Sequence, residues 1–154
     1  MVIFFLVISA LGFIQANIAI AVQPLDAVSE EAGPEAQKKL KTASMQHELI
    51  LLLIENKTFD QVESQWKKVL DLRLNAKYYE GAIAQSLLMI GYKLFEAKQF
   101  VPAQKIMDAS LASVPFTSGN KADIFKFKAA LYKEMGDLDN AIRFMRLASE
   151  LSDK

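Results

Sequence analysis

Small side chains recur in this chain at intervals that only closely packed helices need. Gly91 stands twelve residues before Ala103, and Met107, Ser110 and Pro115 follow it by four, seven and twelve. Thirty-eight residues further on, Ala141 has Ala129, Met145, Ala148 and Asp153 at the same offsets. A small residue on each of two antiparallel helices lets their axes approach, and a large one a turn further along fills the remaining gap. A second small residue leaves room for the next helix. A plain helical bundle needs apolar stripes but not this order of sizes, so the spacing predicts consecutive, stacked helix pairs.

The rest of the chain supplies the helices. Pro34 suits the first turn of a helix, and the stretch after it, free of Pro and Gly, predicts a helix to about Asn56. Thr58 and Gln61 have the spacing of a capping box, and Phe59, Val62, Trp66, Val69 and Leu70 lie on one stripe of a second helix. A third is predicted over 76–97, with Gly81 a potential break. A fourth runs from Phe100 to before Pro115, with Pro102 tolerated in its first turn. "SVPFTSGNK" reads as a loop. A fifth spans 122–135 and ends at Gly136, and Asp137 caps a sixth that runs to about Leu151. No segment alternates as a strand would, so the class is all-α.

These residues resemble the tetratricopeptide repeat family, whose basic unit is about 34 residues. The resemblance covers 43–75, 84–117 and 122–154 and is fullest in the last unit, where Phe125 and Tyr132 hold the aromatic positions. Lys128 stands where leucine is usual and Asp153 where proline is usual. Anchors at Val62, Ala103 and Ala141 are 41 and 38 residues apart; longer helices and the loop 115–120 are expected to absorb the excess. Ile50 and Val69 are large where the pattern wants small. The resemblance implies a short right-handed superhelical array of antiparallel helix pairs, with a concave groove that binds a protein or peptide. Its groove positions fall on His47 in the first unit, on Gln85, Leu88, Tyr92 and Glu96 in the second, and on Lys126 and Lys133 in the third. Leu51, Ile54 and Phe95 share that face but suit the core of a short array equally well. The family's grip on a terminal carboxylate is not expected, because His47, Leu51 and Asp123 replace members of the basic and asparagine set.

The first 21 residues are a separate matter. They carry no charged side chain, and Ala19-Ile20-Ala21 has the small-x-small form that precedes signal-peptidase cleavage. The run is also long enough to span a bilayer if uncleaved. The expectation is a signal peptide over 1–21, or an anchor over residues 2–22, then a linker over 22–33, with the chain exported to a periplasmic or secreted location. Membrane contact is expected only if the leader stays, in which case the chain would be a structural or assembly component of an envelope complex.

Charge narrows the partners. The 18 basic and 18 acidic side chains balance, which gives no reason to expect nucleic acid. With no cysteine and one histidine, His47, the chain offers neither a thiol nucleophile nor a multi-histidine metal site. Glu30-Glu31 and Asp137 with Asp139 read as linker charge and helix capping. No catalytic residue, cofactor or metal ligand is expected. The chain's last helix is expected to leave Leu147 and Leu151 open to self-association, which would make a homo-oligomer.

Overall fold

The computed structural model describes residues 33–152. The leader over 1–21, the linker up to residue 32, and Asp153 lie outside the described residues. Among the described residues there are six α-helices and no strand: α1 (Pro34–Glu55), α2 (Val62–Asp71), α3 (Ala76–Glu96), α4 (Phe100–Ser113), α5 (Ser118–Glu134) and α6 (Leu138–Ser152). Each odd helix packs on the even helix that follows it. The hairpins then contact in chain order: α1 meets α3, α3 meets α5, α2 meets α4, and α4 meets α5.

The three hairpin turns share one backbone design. After α1, α3 and α5 the chain passes through a left-handed residue, at Lys57 (φ 60°), Lys98 (φ 58°) and Gly136 (φ 80°). In each case that residue's N–H reaches back three positions, to Ile54, Phe95 and Lys133, at 3.0, 2.9 and 3.1 Å. The next N–H reaches back five, from Thr58, Gln99 and Asp137 to Leu53, Leu94 and Tyr132, at 2.8, 2.8 and 2.9 Å. This pair of bonds satisfies the last carbonyls of the helix. The left-handed residues are 41 and 38 apart, the same intervals as Val62, Ala103 and Ala141. Only Gly136 is a glycine. Lys57 and Lys98 accept the crowding of Cβ against carbonyl oxygen at a cost of about 1 kcal/mol each.

Three of the four small residues are buried, and Gly91 lies where helices meet. Gly91, Ala103 and Ala129 are buried, and Ala141 is half-buried. A Cβ on Gly91 would collide with the Met107 methyl of α4 and stand 2.8 Å from the Phe127 ring of α5. One missing side chain therefore lets three helices meet. Around that point Leu87, Ile90, Leu94, Ile106, Met107, Ile124 and Leu131 are buried in one continuous core with Ile50, Val62 and Trp66. Each such side chain contributes about 1.5–3 kcal/mol by leaving water.

Several local expectations change. Thr58 does not cap α2; Phe59–Gln61 form a 3₁₀ turn, and the Thr58 hydroxyl instead accepts from Asn56 Nδ2 at 3.0 Å. With Thr58 away from the extended cap conformation, its oxygen is not aimed along the helix. Gly81 does not break α3, whose backbone bonds run through it. The loop 115–120 is shorter than expected, because α5 starts at Ser118. Thr117 caps it by accepting from the Asn120 N–H at 3.5 Å. Glu80 of α3 accepts from the Thr117 N–H and from Asn120 Nδ2, at 3.2 and 3.0 Å. The extra residues of the last unit are thus an added first turn of α5, just as α1 and α3 begin at Pro34 and Ala76, ahead of 43 and 84.

Ser110 bonds to the preceding hairpin. Its hydroxyl accepts from the Trp66 indole N–H at 2.8 Å and donates to the Ile106 carbonyl at 2.7 Å. Lys128 is buried, 4% exposed. Its ammonium pairs with Asp108 of α4 and lies 4.2 Å from the centre of the Phe144 ring of α6. Met145, expected to fill a gap as Met107 does, is 53% exposed, since no described helix covers that side of α6. Leu147 and Leu151 are half-buried; the open apolar residues of α6 are Leu138, Ile142 and Met145.

Gly91→Ala is expected to lower stability by about 1–2 kcal/mol, the cost of overpacking less the helix gain from alanine. Lys98→Gly is expected to raise it by about 0.5 kcal/mol by relieving the left-handed residue. Urea unfolding followed by Trp66 fluorescence reads both.

Candidate functional site

The residues singled out along the odd helices divide into two places. The first is a cavity of about 290 Å³ between α1 and α3. The face of α1 that meets α3 carries Leu40, Ala43, Ser44, His47 and Leu51, at three- and four-residue steps. The opposing face of α3 carries Tyr79, Ala82, Ile83, Gln85, Ser86 and Met89, and Val69 and Leu74 close one end. The lining is mostly apolar, with Ser44, His47, Glu48, Gln85 and Ser86 as its polar groups. Two sequence-predicted site residues, His47 and Gln85, therefore face one hollow from different helices.

Two features give the cavity chemical character. His47 Nδ1 and Ser86 Oγ share a hydrogen bond of 2.6 Å, which fixes the imidazole across the helix pair. Burial pushes the His47 pKa below its ordinary value, and the Glu48 carboxylate opposes that only in part. The ring is thus held neutral, with hydrogen-bonding capacity and no charge at neutral pH. Tyr79 is 3% exposed, and its buried hydroxyl makes no hydrogen bond to the protein. A buried hydroxyl without a partner is uncommon and costly. Here it sits on a residue that lines the hollow.

The second place is the contact of α3 with α5. Tyr92 leans edge-on against Phe127, ring centres 4.8 Å apart. Burial, and then the nearby Asp123 carboxylate, raise its pKa. Leu88 is half-buried and packs against the core. Glu96 is paired with Lys93 at 3.3 Å. Lys126 is paired with Asp123 of its own helix at 3.0 Å, so its charge is partly balanced. Lys133 is exposed one helical stretch away. Phe95 and Ile54 belong to the core or pack on it. This region is a surface braced by ring contacts and ion pairs.

Sequence reasoning missed Tyr79, Ser86 and Met89. Tyr79 lies ahead of the second repeat as its anchors define it, in the added turns of α3. Met89 and Ser86 fall beside the groove positions, and the contact of α1 with α3 brings them to the cavity. Among the described residues no group of three or more His, Asp or Glu side chains is placed to hold a metal ion, and no helix is long and apolar enough to cross a membrane. No family model, curated protein or solved structure matches the chain.

The depressed His47 pKa has a definite sign. An unfolded histidine takes up its proton near pH 6.5, while the folded one resists until lower pH. Stability is therefore full above about pH 6.5 and falls as pH drops through the folded value. His47→Gln is expected to remove that part of the acid sensitivity, read as a smaller loss of melting temperature between neutral and mildly acidic buffer.

Proposed function

We propose that this chain is an exported, tetratricopeptide-type adaptor that binds an extended protein or peptide segment without covalent chemistry. The single observation that carries the reading is the cavity between α1 and α3, an apolar hollow on a pre-packed scaffold with polar groups at its edge. Sites of this kind bury an apolar anchor and orient it with a few directional bonds. The volume suits one or two apolar side chains. Gln85 and Ser44, both exposed, are the groups available to the anchor's own backbone. The tetratricopeptide assignment is supported by the repeated turns at Lys57, Lys98 and Gly136 and by Gly91, Ala103, Ala129 and Ala141 at or near the crossings.

Export is supported by the uncharged first 21 residues and their Ala19-Ile20-Ala21 ending. If that segment remains attached, the same adaptor is held at a membrane as part of an envelope assembly. N-terminal sequencing of the protein from its host separates the two forms: a start at Val22 marks cleavage, and a start at Met1 marks the anchor.

The binding reading is tested with two immobilised, extended peptides that differ only in a central glycine or leucine. The full chain is expected to hold the leucine peptide at least about tenfold more tightly, equivalent to about 1.4 kcal/mol. Ala43→Phe, which fills the hollow, is expected to remove that preference while the far-ultraviolet circular dichroism stays unchanged. Equal binding of the two peptides, or an undiminished preference in Ala43→Phe, takes the cavity out of the account.

A further inference from the structure

Glu48 is the one charged side chain among the residues that line the cavity between α1 and α3. It is exposed at the rim, and among the described residues no lysine or arginine pairs with it. Its own helix explains why. The residues three and four positions away are Ser44, Met45, Leu51 and Leu52, and none carries a charge. Elsewhere on the odd helices the same spacing makes pairs, Lys93 with Glu96 and Lys126 with Asp123.

The surroundings leave that charge unbalanced. His47 beside it is uncharged at neutral pH, since burial pushes its pKa down. Across the cavity α3 presents Ala82, Gln85, Ser86 and Met89. Elsewhere on α3, Glu80 accepts from Thr117 and Asn120, and Lys93 and Glu96 balance each other. On α1, Lys41 and Glu55 stand seven residues before and seven after Glu48, with opposite signs. Each is about 10 Å away along the axis, beyond the screening length of about 8 Å at physiological salt. Past Leu74 and Tyr79 a second hollow holds Glu35, Lys39 and Arg73, of which the first two are paired. Its net positive charge lies about 13 Å or more back along α1 from Glu48, at the other end of the cavity.

We infer that the segment seated in this cavity carries a lysine or arginine beside its apolar anchor, placed to meet Glu48. The inference rests on the proposed binding of an extended segment and adds the chemistry of the partner. Residues two apart in an extended segment point to one side. With the anchor in the hollow, the residue two positions away therefore stays at the rim on the same face. An ammonium or guanidinium there meets the unbalanced carboxylate, whereas an acidic side chain there faces like charge. The apolar walls behind Glu48 strengthen its field at the rim.

The test extends the leucine peptides. The residue two positions before or two after the leucine is made lysine, glutamine or glutamate, one site at a time, and binding by the full chain is measured at low salt. At one or both sites lysine is expected to bind about threefold more tightly than glutamine, and glutamate more weakly, as for an ion pair at a rim. The lysine gain is expected to vanish in about 1 M salt, where the screening length is about 3 Å, while the preference for leucine over glycine remains. Glu48→Lys, with unchanged circular dichroism, is expected to reverse the order of the lysine and glutamate peptides. Equal binding of the lysine and glutamine peptides at both sites, or a lysine gain that survives in Glu48→Lys, overturns the inference while the leucine preference stands. Loss of the leucine preference as well removes the cavity reading and this inference with it.

Discussion

The absence of a side chain at Gly91 governs the middle of this molecule. The Met107 methyl and the Phe127 ring occupy the volume a Cβ would take, so α3, α4 and α5 come together at one point. Packing at interior density leaves no slack there. Phe127 also meets Tyr92 edge-on there. Ala103 and Ala129 are buried between helices, and Ala141 is only partly covered because it belongs to the outermost described helix.

Polar contacts then distinguish hairpins that share one backbone plan. Trp66, Ser110 and the Ile106 carbonyl form a buried chain of hydrogen bonds that ties the first hairpin to the second. Between the second and third hairpins the link is ionic and aromatic: Asp108, Lys128 and Phe144. Buried charge is costly unless paired, and a cation over a ring face regains part of that cost. Each link involves specific partners, so each resists sliding of one hairpin along its neighbour.

The cavity between α1 and α3 lies in the part of the chain where the small-residue pattern is missing. The first hairpin carries Ile50 and Val69 where the later ones carry small side chains, and both are buried. Ile50 is closed inside the core, whereas Val69 is buried and also lines the cavity between α1 and α3. His47, Gln85 and Tyr79 border that space. The cavity is thus bordered by residues of the first two hairpins.

The sequence by itself determined the helices, most of their ends and the order of pairing. Gly136, Pro34, Pro102 and Asp137 are punctuation with a local physical cause, and Gly91 with Ala103 names a crossing before any coordinates. Local chemistry does not reveal Lys57 and Lys98 as left-handed residues, since nothing in a lysine prefers that conformation; the hairpin turn imposes it. Tertiary structure likewise decided that Lys128 is buried, because its partners Asp108 and Phe144 lie 20 residues before it and 16 after it. It decided that Met145 is open while Met107 is closed, because burial depends on what packs next and not on a residue's place in a repeat. And it decided which groove candidates share a cavity: side chains on different helices meet only when the tilt and distance of those helices are set, and no spacing along one chain contains that information.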